Sequence, residues 1–228
     1  MRWVLGILIV LLGLYALTVV ATKRRWKREA SSREALPRFV TSLGLKFDAS
    51  PDALDAATLS SLYVAGVRAW EYFGSDDSDG LIAGIYEGLT LLGSVYWSDQ
   101  DGVLGSVLII ATPVPSEVDT TFVVCRPRDV GNSTALTKIS IDDPEFAAKV
   151  EVGAQDTDRL RAILDVPFRR FILSHGSWAG GAGNRPYWFE VHAGHALIAC
   201  ALPSSSSELR RLLDTLVEFH GHVCDSLE

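Results

Sequence analysis

Trp3 to Ala21 reads WVLGILIVLLGLYALTVVA, a run of 19 residues without a charge. It restricts what the chain can become more than any other feature. At about 1.5 Å per residue a helix of this length reaches roughly 28 Å, close to the hydrocarbon thickness of a bilayer. A helix also satisfies its own backbone hydrogen bonds in lipid. Trp3, Leu5, Ile7, Ile9, Leu12, Leu14, Leu17 and Val20 supply apolar surface, and Trp3 and Trp26 stand where indoles favour headgroups. The run is therefore expected to be a transmembrane anchor, with the lipid bilayer as its first partner.

The flanking charges suggest an orientation. Lys23, Arg24, Arg25, Lys27 and Arg28 form a basic stem after the run, against Arg2 before it. The positive-inside rule then puts the amino terminus outside and residues 29–228 in the cytoplasm, at a bacterial inner membrane. The rival is a cleaved signal peptide, with Val19 and Ala21 as small cleavage-site residues, which would make the remainder an exported or periplasmic domain. The basic cluster argues against it, because such a cluster resists translocation.

The same cluster divides the chain by charge. Six of the 21 basic residues lie in residues 1–28, which hold no acid. Residues 29–228 keep 15 basic residues against all 28 acids, a net of −13. That balance disfavours a phosphate-rich partner, so no nucleic acid is expected. Two units follow: an anchor and stem over 1–28 and an acidic domain over 29–228. Three cysteines, Cys125, Cys200 and Cys224, are too few for a disulfide scaffold and fit a reducing compartment.

Beyond the stem the pattern predicts an α+β domain, a mainly antiparallel sheet packed against a few helices. Residues 23–42 should continue the first helix or follow it with a second, and Pro37 should kink or restart it. Strands are expected at LGLKF (43–47), 81–86, 89–97, 104–111, 120–125, 138–141, 149–152, 168–173, 187–192 and 195–201, joined by turn residues that favour hairpins. Helices are expected at 51–62 after Ser50-Pro51 and at 156–164. The last helix opens on a capping box, Ser205 and Glu208, and carries the stripe Leu209, Leu212, Leu213, Leu216, Val217. It should end at Gly221.

Few residues suggest chemistry. The acidic turn 76–80 fits a calcium loop only at Asp77, Asp79 and Gly80, and lacks the first and the bidentate ligand. Ser177 lacks the flanking glycines of a nucleophile elbow. The Gly-rich stretch 176–183 lacks the Lys-Ser/Thr ending of a phosphate loop and reads as a connector. Trp70, Trp97, Trp178, Trp188, Tyr86, Tyr96 and Tyr187 read as core or cross-strand pairs before they read as a groove.

All five histidines lie in the last 54 residues. His192, His195, His220, His222 and Cys224 are zinc-type ligands. With the tail expected to leave the helix, nothing would fix them around one ion, so neither metal nor cofactor is expected.

LGLKF, the turn Gly84-Ile85-Tyr86-Glu87-Gly88 and the segment Asp143-Pro144-Glu145-Phe146 leading to Val150 give a second indication. With the apolar start and basic stem, this layout resembles a group of uncharacterised bacterial single-pass membrane-anchored proteins of unknown function. The resemblance implies an architecture and a bacterial source, and it carries no activity. The expected function is binding or scaffolding, with a protein partner, by the acidic domain. The alternative is a tethered metal-dependent hydrolase using the His-rich carboxyl end.

Overall fold

A computed structural model describes residues 2–48, 78–98, 105–118, 120–125, 136–175, 188–192 and 194–225. The helix expected at 51–62, the Gly-rich stretch 176–183, residues 76 and 77 of the acidic turn, and Trp70, Trp178 and Tyr187 lie outside these residues.

The chain opens with α1 (Arg2–Ser42), one helix of 41 residues. Pro37 lies inside it and does not restart it. After Gly44, whose φ of +77° suits a residue without a Cβ, comes β1 (Lys46–Asp48). A meander follows: β2 (Ser78–Tyr86), β3 (Leu89–Ser98) and β4 (Gly105–Pro113). Then come β5 (Phe122–Cys125), β6 (Thr137–Ile139), α2 (Pro144–Lys149), β7 (Glu151–Ala154), α3 (Thr157–Ile163) and α4 (Val166–His175). The chain closes with β8 (Trp188–His192), β9 (His195–Ala201) and α5 (Ser206–Asp225).

The strands form one sheet in the order β1-β2-β3-β4-β9-β8-β5-β7-β6, with every neighbouring pair antiparallel. Two late strands thus lie between the early meander and the β5–β7–β6 wing. The β2–β3 turn is tight because Glu87 and Gly88 both take positive φ, 47° and 83°, the conformation a two-residue hairpin needs to match strand twist.

Strand alternation sorts the sheet into two faces. Leu108, Ile110, Phe122, Val124, Val152, Phe189, Val191 and Ile198 join Leu36 and Val40 of α1, Phe168, Phe171 and Ile172 of α4, and the α5 stripe in the main core. The starts of α2 to α5 are tied down. Asp143 accepts the Phe146 N–H, Asp156 those of Asp158 and Arg159, and Asp165 that of Phe168. At α5, Ser205 Oγ accepts the Glu208 N–H at 3.2 Å. The Glu208 carboxylate reaches back one residue further, to the N–H and hydroxyl of Ser204.

Four expectations are corrected. Among the described residues no helix is long and apolar enough to cross a membrane, which overturns the single-pass anchor and with it the cytoplasmic placement of residues 29–228. Trp3, Leu5, Ile7, Ile9, Leu12, Leu14, Leu17 and Val20 instead belong to a helix that runs unbroken through the basic stem and ends in the protein core. Pro37 does not restart the helix, as α1 continues past it to Ser42. The segment 168–173 is the helix α4, not a strand. Phe168, Phe171 and Ile172 have helical spacing, and Asp165 with Pro167 opens the first turn. Finally, α5 passes Gly221 and ends at Asp225. Phe219 and Val223 extend its buried stripe, and their burial outweighs the roughly 1 kcal/mol that a helical glycine costs.

Candidate functional site

The first candidate is the sheet face turned away from the described helices. Val107, Ile109, Ala111, Val123, Cys125, Leu197 and Ala199 form a second apolar cluster there, to which no helix residue contributes among the described residues. Glu190 and Glu151 alternate with core residues and so lie on this face. Glu190 is 1% exposed and Glu151 6%. Glu190 pairs across the ladders with Leu197 on one side and Val123 on the other. Glu151 stands opposite Cys125, and its carboxylate takes the Lys138 ammonium at 3.0 Å. The pair thus joins a buried carboxylate to a lysine that remains exposed. The sequence shows these two glutamates as polar positions in alternating strands, the usual mark of solvent exposure, so only the packing identifies them.

The second candidate is the carboxyl-terminal histidine region, now on ordered elements. His192 and His195 are partners at the β8–β9 turn, and His192 Nδ1 lies 3.4 Å from the Thr121 hydroxyl. His222 stacks against Phe168 with centroids 5.1 Å apart and lies equally close to Phe171. His175 of α4 lies 3.7 Å from the Glu218 carboxylate of α5. His220 Nε2 lies 3.1 Å from the Pro113 carbonyl, and Cys224 Sγ lies 3.6 and 3.8 Å from its two ring nitrogens. The five residues expected as zinc-type ligands are therefore distributed over a hairpin turn, an aromatic stack and one helix end. Among the described residues no group of three or more His, Cys, Asp or Glu could hold a metal ion.

The thiols differ in setting. Burial, helped by the nearby Glu208 charge, pushes Cys200 up to about 12, so it is a closed core thiol. Cys224 is raised by partial burial and then by Asp225, but it remains half-exposed.

The third candidate is α1. Leu36 and Val40 are buried, whereas Tyr15 is 69% exposed, Leu17 68% and Val20 46%. Of the basic stem, Lys23, Arg24 and Lys27 are exposed. One end of the helix is fixed in the core, and this stretch of it offers apolar side chains with cations one to two turns later.

No family model matches the chain, and no curated protein matches it by sequence. Among solved structures, the crystal structure of the mycobacterial trehalose monomycolate transport factor A, TtfA, is similar. The likeness has a TM-score of 0.56 and 12% identity, and covers 84% of this chain and 94% of that one. At that identity the likeness establishes the α+β fold, with its large antiparallel sheet and flanking helices, and nothing further.

Proposed function

We propose that the protein works by binding, as an accessory factor that docks a protein partner along α1 while the sheet domain holds the base of that helix. The observation that carries this reading is the exposure of Tyr15, Leu17 and Val20 on a helix whose other end is buried through Leu36 and Val40. Apolar side chains so exposed gain about 25 cal/mol for each Å² that a partner covers, and a fixed base lowers the ordering cost of docking. The cations at Lys23, Arg24 and Lys27 favour an acidic rim on the partner. TtfA is named a transport factor; carried to this chain, the name suits an assisting role and not conversion of a substrate.

A photo-crosslinking residue at Leu17 tests the reading, with Thr137, an exposed strand position, as control. We expect a discrete protein adduct at Leu17 that disappears in Tyr15→Lys/Val20→Lys. Adducts at Leu17 to lipid alone, or a pattern no different from that at Thr137, would overturn it.

A further inference from the structure

Residues 3–21 carry no charge, and the described side chains of this run spread round the whole circumference of α1. Tyr15, Leu17, Thr18, Val20 and Ala21 are exposed and Val19 is half-buried. At 3.6 residues per turn, Tyr15 and Leu17 stand about 160° apart around the helix axis, and Tyr15 and Val20 about 140°. We infer that the partner of α1 encloses the helix in a slot with apolar walls on opposite sides, one wall carrying acidic groups at its mouth. This rests on the docking reading above and specifies the kind of surface the partner presents.

A helix that docks by one face shows anchors at i, i+3, i+4 and i+7 and keeps its other face polar. Between Tyr15 and Ala21 there is no polar face. Thr18 carries the one hydroxyl of that stretch besides Tyr15, and its Oγ1 donates to the Tyr15 carbonyl at 2.7 Å. The bond stays within the helix, which is how a hydroxyl is accommodated in apolar surroundings. A helix that is apolar all round is one that is buried all round. A flat surface laid on Leu17 and Val20 would leave Tyr15 in water, so a second wall has to cover it.

The stem makes the two walls unlike. Lys23, Arg24 and Lys27 are exposed and fall within a sector of about 100° whose middle lies on the Val20 side of the helix. Tyr15 lies outside that sector. The wall facing Val20 therefore ends in carboxylates, which meet these cations at the mouth. The wall facing Tyr15 is apolar, with an acceptor for the phenol hydroxyl. The base of the helix stays outside the slot, because Leu36 and Val40 are buried in the chain's own core.

Photo-crosslinking residues placed singly at positions 15, 17, 18, 19, 20 and 21 of the full chain, in intact cells, test the enclosure. We expect the same protein adduct at all six positions, with yields within about threefold of one another and without the 3.6-residue period of one-sided docking. Tyr15→Asp and Leu17→Asp, on opposite sides, should each lower the yield at position 19 by roughly tenfold or more, because each buries an unpaired carboxylate. Both side chains are exposed in the free chain, so neither change should alter its circular dichroism. Yields that follow one face, an effect from only one of the two Asp variants, or different proteins captured on the two sides would overturn the enclosure and leave the docking reading standing. No protein adduct at any of the six positions, or lipid adducts alone, would overturn both.

Discussion

Tyr86 shows how one side chain couples distant parts of the chain. Its hydroxyl donates to Asp214 Oδ1 at 2.6 Å, joining the end of β2 to the outer face of α5. Burial first, then this hydrogen bond and the Asp214 charge, raise the phenol from 10.0 to about 12. A raised folded value means that the contribution is complete below pH 10 and is lost as pH climbs towards 12. We expect the melting temperature of the natural protein to fall more steeply between these limits than that of Tyr86→Phe. At neutral pH the same substitution should cost about 1 kcal/mol in urea unfolding, since Asp214 is partly solvated. The spacing of His220 and Cys224 is legible in the sequence, but Gly221, which marks a helix end by propensity and not by packing, hides that both stand on α5.

Elements differ in how openly the sequence announces them. The capping box of α5, the Asp156 start of α3 and the hairpin strands are legible because short-range chemistry decides them. The run 168–173 is not, since a six-residue apolar stretch fits either period until its neighbours are known. Helix α4 wins because Phe168, Phe171 and Ile172 all reach the core from one side. Phe168→Ala should cost about 3–5 kcal/mol, measured by denaturant titration. At the start of α5, the two bonds from Ser204 are the main causes that lower the Glu208 carboxyl below 4.5. A lowered folded value gives stability above that pH, lost as acid protonates the folded carboxylate. Glu208→Gln should therefore flatten the acid limb of the stability profile. At the β2–β3 turn, Glu87 holds a φ of 47° that asparagine adopts more readily. Glu87→Asn should raise stability by roughly 0.5 kcal/mol, seen as a higher urea midpoint at unchanged slope.

The whole molecule divides α1 into a base and an arm. Leu36→Ala should remove about 2–5 kcal/mol of stability, because its side chain is buried between helix and sheet. Tyr15→Lys/Val20→Lys should change stability by less than about 0.5 kcal/mol while removing the partner adduct at Leu17. That contrast, read by calorimetry and crosslinking on the same preparations, separates a structural helix from a docking one. The architecture as a mainly antiparallel α+β domain follows from the hairpin spacing. The role of residues 3–21 does not, because an uncharged apolar run states what it avoids and leaves open what covers it.

The strand order has a consequence for how the chain is made. Strands β4 and β5 are nearly adjacent in sequence, yet each finds its inner neighbour only in β9 and β8. During synthesis the meander and the β5–β7–β6 wing emerge first and wait as two half-sheets, each with a raw apolar margin. Only when the ribosome releases residues 188–201 can a hairpin slide in as the keystone between them. A nascent chain stopped short of that hairpin would offer two sticky borders to its neighbours.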